Sequence, residues 1–278
     1  MKKLLLGIAA VCLAGFTFAQ DAPLWMRHSV ISPDGTTIAF TYKGDIYTVP
    51  VAGGRAMQIT TNPAYDTAPV WSPDSKRIAF ASDRMGSLDV YIVAKDGGEP
   101  RRLTTHSGSE TPLAFTDAGH VLFSAGIMPS AEAVVFPSNG QFNQVYRVSV
   151  EGGRPTMISS MPMECISINK EGAMLYQDKK GYEDYWRKHH VSPIARDIWM
   201  YTPGKEPQYR QLTTFGGEDR EPVWAPDGKT FYYLSEENGS FNIYRRTPGD
   251  AKAVQLTHYT KNPVRYLSAA TDGRLCYG

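Results

Sequence analysis

Residues 71–80 read Trp71-Ser72-Pro73-Asp74-Ser75-Lys76-Arg77-Ile78-Ala79-Phe80. Ser-Pro-Asp followed by a small residue suits a type I turn: Pro presets φ at the second position and Asp tolerates the third. Ile78 and Phe80 then alternate with smaller neighbours, the period of a half-buried strand. The same turn-plus-strand returns as SPDGTTIAF at 32–40 and APDGKTFYY at 225–233. Weaker copies read FTDAGHVLF at 115–123, NKEGAMLY at 169–176 and ATDGRLCYG at 270–278.

Two more landmarks follow each turn in fixed order. A polar residue precedes an aliphatic and an aromatic residue in Asp45-Ile46-Tyr47, Asp89-Val90-Tyr91, Gln144-Val145-Tyr146, Asp197-Ile198-Trp199 and Asn242-Ile243-Tyr244. An aliphatic residue then precedes a hydroxyl in Ile59-Thr60, Leu103-Thr104, Ile158-Ser159, Leu212-Thr213 and Leu256-Thr257. The polar residue and the hydroxyl stand 15 residues apart in four units and 16 in the fourth unit, with Gly-Gly or Pro-Gly between them. That spacing predicts a hairpin in every unit. Strand A precedes the Asp turn, strand B follows it, C holds the aromatic landmark and D ends at the hydroxyl.

Successive turn acids Asp34, Asp74, Asp117, Glu171, Asp227 and Asp272 lie 40, 43, 54, 56 and 45 residues apart. A four-stranded unit recurring at about 40–50 residues is a propeller blade, which buries its two faces only against neighbours. The expected fold is therefore an all-β propeller of four-stranded antiparallel blades, with the landmark aromatics packed between sheets. Five blades fall at about 24–61, 62–105, 106–160, 161–214 and 215–258, with a partial sixth at 259–278. The sixth unit lacks strands C and D, so an open edge is expected there, and with it poor solubility of the chain on its own.

Residues 1–19 have the parts of a signal peptide: Lys2 and Lys3, the apolar run from Leu4 to Phe16, and a small residue at Ala19. The run is too short for the ~20 residues that span a bilayer. The expectation is an exported, periplasmic protein with a propeller over 20–278 and no membrane span after cleavage. Cys165 and Cys276 then remain, too few for a disulfide framework. The 29 basic and 28 acidic residues leave a net charge of +1, no footprint for nucleic acid.

In such blades the A–B and C–D turns share one face, and the B–C loops and D–A connections share the other. The turn acids Asp34, Asp74, Asp117, Asp227 and Asp272 are expected to bond their own turn backbones. The long spacings arise from B–C segments at 124–143 and 177–196. The second is dense in Tyr182, Tyr185, Trp186, Arg187, Lys188, His189, His190 and Arg196, a mix suited to peptide backbone, carboxyl termini or a partner protein. Adjacent histidines point apart on a strand, so His189 and His190 do not imply a metal. No Gly-x-Ser-x-Gly elbow, Walker loop or dinucleotide fingerprint is present, and no catalytic residue or cofactor is expected in this chain.

Ser-Pro-Asp-Gly-x-x-Ile-Ala-Phe, Asp-Ile-Tyr and Gly-Gly-x-x-x-x-Leu-Thr resemble the WD40-like repeat of TolB and tricorn-type proteins. The stretches Gly181-Tyr182-Glu183, Trp186-Arg187-Lys188-His189-His190 and Ala195-Arg196-Asp197-Ile198-Trp199 resemble, more narrowly, the N-terminal six-bladed propeller of tricorn-like serine peptidases. So does the opening Pro23-Leu24-Trp25-Met26-Arg27. The resemblance implies a propeller that guides or gates peptides or unfolded polypeptides towards downstream domains of the same protein, where the Ser/His machinery lies. It also leaves room for a homo-oligomer. Alternative readings are a TolB-like periplasmic scaffold that docks a protein, and the propeller of a prolyl-oligopeptidase-like enzyme.

Overall fold

The computed structural model describes residues 25–126, 143–180 and 191–278. Blade 1 comprises β1 (Arg27–Ile31), β2 (Thr37–Tyr42), β3 (Asp45–Pro50) and β4 (Met57–Gln58). Blade 2 has β5 (Asp66–Trp71), β6 (Arg77–Ser82), β7 (Asp89–Ala94) and β8 (Arg101–Arg102). Blade 3 has β9 (Glu110–Asp117), β10 (His120–Ala125), β11 (Gln144–Ser149) and β12 (Thr156–Ser159). Blade 4 has β13 (Met163–Ile168), β14 (Met174–Asp178), β15 (Ile198–Thr202) and β16 (Gln208–Gln211). Blade 5 has β17 (Asp219–Trp224), β18 (Phe231–Ser235), β19 (Asn242–Arg246) and β20 (Val254–Gln255). A two-stranded sheet of β21 (Ser268–Ala269) and β22 (Leu275–Cys276) follows. Each full sheet is an antiparallel meander in chain order, so every blade needs only hairpin connections.

The recurring landmarks have physical causes. In blades 1, 2, 4 and 5 strand D ends two residues before the hydroxyl landmark, which accepts the amide of the residue after the polar landmark: Ile46 N to Thr60 Oγ1 at 3.0 Å, and Val90 to Thr104, Ile198 to Thr213 and Ile243 to Thr257 at 2.9 Å. This bond joins the two ends of the C–D hairpin and sets their spacing. The landmark aromatics pair across strands B and C, with ring centroids 5.8 Å apart for Phe40 and Tyr47, 5.9 Å for Phe80 and Tyr91, 5.6 Å for Phe123 and Tyr146, and 5.8 Å for Tyr233 and Tyr244. Such pairs add about 0.5–1.5 kcal/mol each beyond area burial.

The buried apolar clusters straddle consecutive blades. Ile46 and Ile59 of blade 1 pack with Trp71, Ile78 and Phe80 of blade 2, and Leu175 and Ile198 of blade 4 pack with Trp224, Phe231 and Tyr233 of blade 5. The core is thus a set of layers between sheets. Trp71 Nε1 donates to Val30 O at 3.0 Å and Trp224 Nε1 to Ala173 O at 3.1 Å, so each indole fills a seam and satisfies its own polar atom.

The inner strands β1, β5, β9, β13, β17 and β21 touch in succession, and β21 returns to touch β1. The sequence predicts an open edge at the partial sixth unit, and the structure adds that its inner strand closes the ring. Ser268 Oγ accepts the Ile31 amide at 3.1 Å, and Pro33 O accepts the Thr271 amide at 2.9 Å.

Four residues before the turn's first position, a non-glycine residue adopts positive φ in five of the six units: His28, Ala68, Cys165, Glu221 and Tyr266, at 50° to 56°. Strand pairing shifts register at this point in blades 1, 2, 4 and 5. These are bulges, and they bend the inner strands about the axis. Neither their residue types nor the repeat pattern predicts them.

Candidate functional site

The Asp turns form the regular face. Asp34 Oδ1 accepts the Thr36 amide at 3.0 Å and the Ser32 hydroxyl at 2.6 Å; Asp74 Oδ1 accepts the Lys76 amide at 3.1 Å and the Ser72 hydroxyl at 2.6 Å. Asp117 accepts the Gly119 amide, Asp227 the amides of Lys229 and Thr230, and Asp272 the Arg274 amide. The Ser32 and Ser72 hydroxyls hold Asp34 and Asp74 below the usual carboxylate range, with the turn amides helping. Each carboxylate bonds within its own turn.

The opposite face carries the B–C loops. Tyr182, Tyr185, Trp186, Arg187, Lys188, His189 and His190 lie outside the described residues. The two ends of their segment are described and are fixed by charge. Lys180 Nζ sits 2.5 Å from Asp197 and 3.6 Å from Asp178, and donates to Ala195 O at 2.8 Å. Asp178 also accepts the Asp197 amide at 2.8 Å and the Trp199 indole at 3.2 Å. Lys180 and residues 195–197 are therefore tied together at the loop end of strands β14 and β15.

Arg196, expected among the partner-binding residues, is buried beneath that point. Its Nε lies 3.3 Å from Glu164 and its Nη1 3.4 Å from Glu218. Burial pulls its pKa down, but the Glu164 and Glu218 carboxylates outweigh that and hold it above its ordinary value. Arg220, also buried, meets Glu218 at 2.6 Å and lies over the Phe241 ring at 5.0 Å. Sequence reasoning missed Glu164, Glu218 and Arg220, which lie on or beside inner strands of blades 4 and 5. Glu218 and Arg220 flanking the first residue of strand A are the local signal that could have found them.

A recess opens on the same face at blade 1. It has a volume near 390 Å³ and is lined by Trp25, Arg27, Thr41, Lys43, Gly44 and Tyr65. Trp25 and Tyr65 are exposed aromatics, and Arg27 lies 5.9 Å from the Trp25 ring centroid. Among the described residues no group of three or more His, Cys, Asp or Glu is placed to hold a metal ion.

Five four-stranded blades and a two-stranded sixth sheet, arranged in a ring, define a β-propeller with aromatic and cationic groups on its loop face. Residues 23–278 match the model of the tricorn protease N-terminal beta propeller domain, and the chain belongs to that family. It is 25% identical over 254 residues to tricorn protease homolog 1 of Streptomyces coelicolor, covering 91% of this chain and 22% of the relative. It is 30% identical over 231 residues to the uncharacterized peptidase YuxL of Bacillus subtilis, covering 82% of this chain and 31% of the relative. The chain thus spans between a fifth and a third of these relatives' lengths. Among solved structures, tricorn protease superposes with a TM-score of 0.73 at 19% identity, covering 92% of this chain and 24% of that one. A putative TolB from Agrobacterium tumefaciens gives 0.67 at 15% identity, covering 91% of this chain and 90% of that one. Both likenesses bear on the fold.

Proposed function

We propose that this chain is the non-catalytic propeller of an exported tricorn-like serine peptidase, and that its loop face guides or gates peptides towards catalytic parts elsewhere in the protein. The observation that carries this reading is the family match over residues 23–278, in relatives of which this propeller is only a small share. The ion pairs that join Lys180 to Asp178 and Asp197 support it further, because they tie together the described ends of an aromatic and cationic stretch of sequence. The blade 1 recess supplies an aromatic and cationic surface on the B–C face. Export rests on Lys2, Lys3 and the apolar run that follows, which lie outside the described residues. Photo-crosslinking of peptides to the full-length protein tests the binding role. Adducts on residues 182–190 are expected, and adducts confined to other regions overturn it.

A TolB-like docking scaffold is the second reading. The fold match that covers 90% of the Agrobacterium structure favours it. Capture of an envelope protein by the full-length protein, with peptide turnover absent, would select that reading over the first.

A further inference from the structure

The polar landmark of each blade faces the start of the next blade's inner strand. One backbone bond repeats at this place: Asp66 N to Gly44 O at 2.7 Å, Glu110 N to Leu88 O at 2.7 Å, Asp219 N to Arg196 O at 3.0 Å and Val264 N to Phe241 O at 2.9 Å. Each acceptor immediately precedes a landmark. The residues so opposed follow a rule. Acidic landmarks Asp45, Asp89 and Asp197 meet acids Asp66, Glu110 and Asp219. The amide landmark Asn242 meets apolar Val264, and Gln144 is followed in the next blade by Met163 at the corresponding inner-strand position. Met163 packs with Val145, and Val264 packs with Ile243, so these seams are finished by apolar contact.

We propose that the seams between blades 2 and 3 and between blades 4 and 5 each hold a buried carboxyl group, Glu110 and Asp219, that keeps its proton while the seam is closed, making them pH-sensitive joints in the ring.

Charge counting supports this. Asp89 and Glu110 are both fully buried, and the cation that meets the pair is Arg102, 2.8 Å from Asp89. Thr104 and the His106 backbone are the other polar groups facing Glu110. Two negative charges against one positive in a dry seam leave a net buried charge, which protonation of one acid removes. At the other seam Asp197 takes Lys180 at 2.5 Å and the Gln211 amide at 3.0 Å, while buried Asp219 faces Asp197, Glu237, Tyr233 and the hydroxyls of Ser235 and Thr213. Burial, with the facing acid adding to it, pushes Glu110 up to about 7 and Asp219 up to about 7. The seam between blades 1 and 2 differs. Arg84 Nη2 lies 3.0 Å from both oxygens of Asp66, and half-buried Asp45 is bonded by Gln58 and Thr60. Asp45 is only partly buried and Asp66 has Arg84 to itself, so this seam leaves no net charge shut away.

The sign follows from linkage. An acid whose pKa is higher folded than unfolded stabilises the fold below its unfolded pKa, and that stability is lost as the pH rises through the folded value. The two seams should loosen between about pH 5 and pH 8.

Hydrogen exchange read by mass spectrometry on the full-length protein tests this at about pH 5.5 and about pH 8, after correction for the chemical exchange rate. Peptides from β7–β9 and β15–β17 should lose protection by roughly tenfold to thirtyfold, while those from β11–β13 should not change. Glu110→Gln and Asp219→Asn should each abolish the loss at their own seam. The recoded pair Asp89→Asn with Glu110→Met, copying the amide-and-apolar seams, should do the same. Equal behaviour at all seams, or persistence of the loss in the Gln and Asn variants, overturns the proposal. An infrared titration of the unmodified protein keeps the test decisive if a variant does not fold. A protonated-carboxyl band that survives at about pH 6 and vanishes by about pH 8.5 is expected, and its absence at the lower pH refutes the buried protonated acids.

Discussion

Ser268 Oγ accepts the backbone amide of Ile31 at 3.1 Å, across 237 positions of sequence. Ser167 Oγ accepts the amide of Trp224 at 3.0 Å in the same way between blades 4 and 5. In both pairs the serine stands two residues before its unit's turn, and the donor stands one residue before its own. The closing seam is therefore built like an ordinary one. Ser268→Ala and Ser167→Ala should each destabilise the propeller by about 1–3 kcal/mol, the cost of a buried amide left without its acceptor. Denaturant unfolding followed by tryptophan fluorescence measures it. A negligible effect of Ser268→Ala alone would show that the ring is held at that seam by something else.

The indoles of Trp71 and Trp224 each fill a seam and donate to a carbonyl of the preceding blade. Trp224→Phe keeps most of the ring but loses the hydrogen bond, a cost of about 1–2 kcal/mol. Trp224→Ala adds a cavity and should cost about 3–5 kcal/mol. Calorimetric melting of the two variants should give that order, and equal costs would contradict it.

The turn carboxylates predict an acid limb. Asp34 and Asp74 are held down mainly by the Ser32 and Ser72 hydroxyls, and Asp227 mainly by the Thr230 amide. A depressed carboxylate stabilises the fold above its unfolded pKa, and that stability is lost as pH falls through the folded value. Asp34→Asn with Asp227→Asn should make thermal stability less dependent on pH below about 4, with a small change at neutrality because these groups are exposed. Melting curves from pH 2 to 7 check this; an unchanged acid slope would assign it to other groups.

Much of this fold was legible from spacing. The aromatic landmark and the strand D hydroxyl were visible because one bond, such as Val90 N to Thr104 Oγ1, fixes their separation in blades 1, 2, 4 and 5. The bulges at His28, Ala68, Cys165, Glu221 and Tyr266 were not, because Ala, Cys, Glu and Tyr do not signal a left-handed backbone and the one histidine among them is not repeated in the other units. Ring closure was hidden too, since Ser268 lies in a unit whose inner strand carries no landmark. Arg196 shows why site residues are harder to read than turns. Its chemistry suits a ligand, and only the placement of Glu164 and Glu218, 32 and 22 positions away, reveals that its charge is already matched inside the protein.

That placement gives its own prediction. Arg196→Met removes the cation that Glu164 and Glu218 share, while Glu218 keeps Arg220 and Glu164 keeps Lys179, and should cost about 1–3 kcal/mol. Arg196→Lys should recover only part of this, because one Nζ cannot stand at both the Nε and Nη1 positions from which Arg196 meets Glu164 and Glu218. Unfolding free energies of the two variants test it, and full rescue by Lys would contradict a bridging role.

The central claim is that the loop face serves peptide handling by a larger peptidase. Its most direct test is steady-state peptide turnover by the full-length protein carrying Trp186→Ala and Arg187→Ala, with folding checked by circular dichroism. The account predicts a raised KM for long peptides with little change for short ones, because the segment guides substrate and does no chemistry. Unchanged kinetics for long peptides in the folded double variant would contradict it.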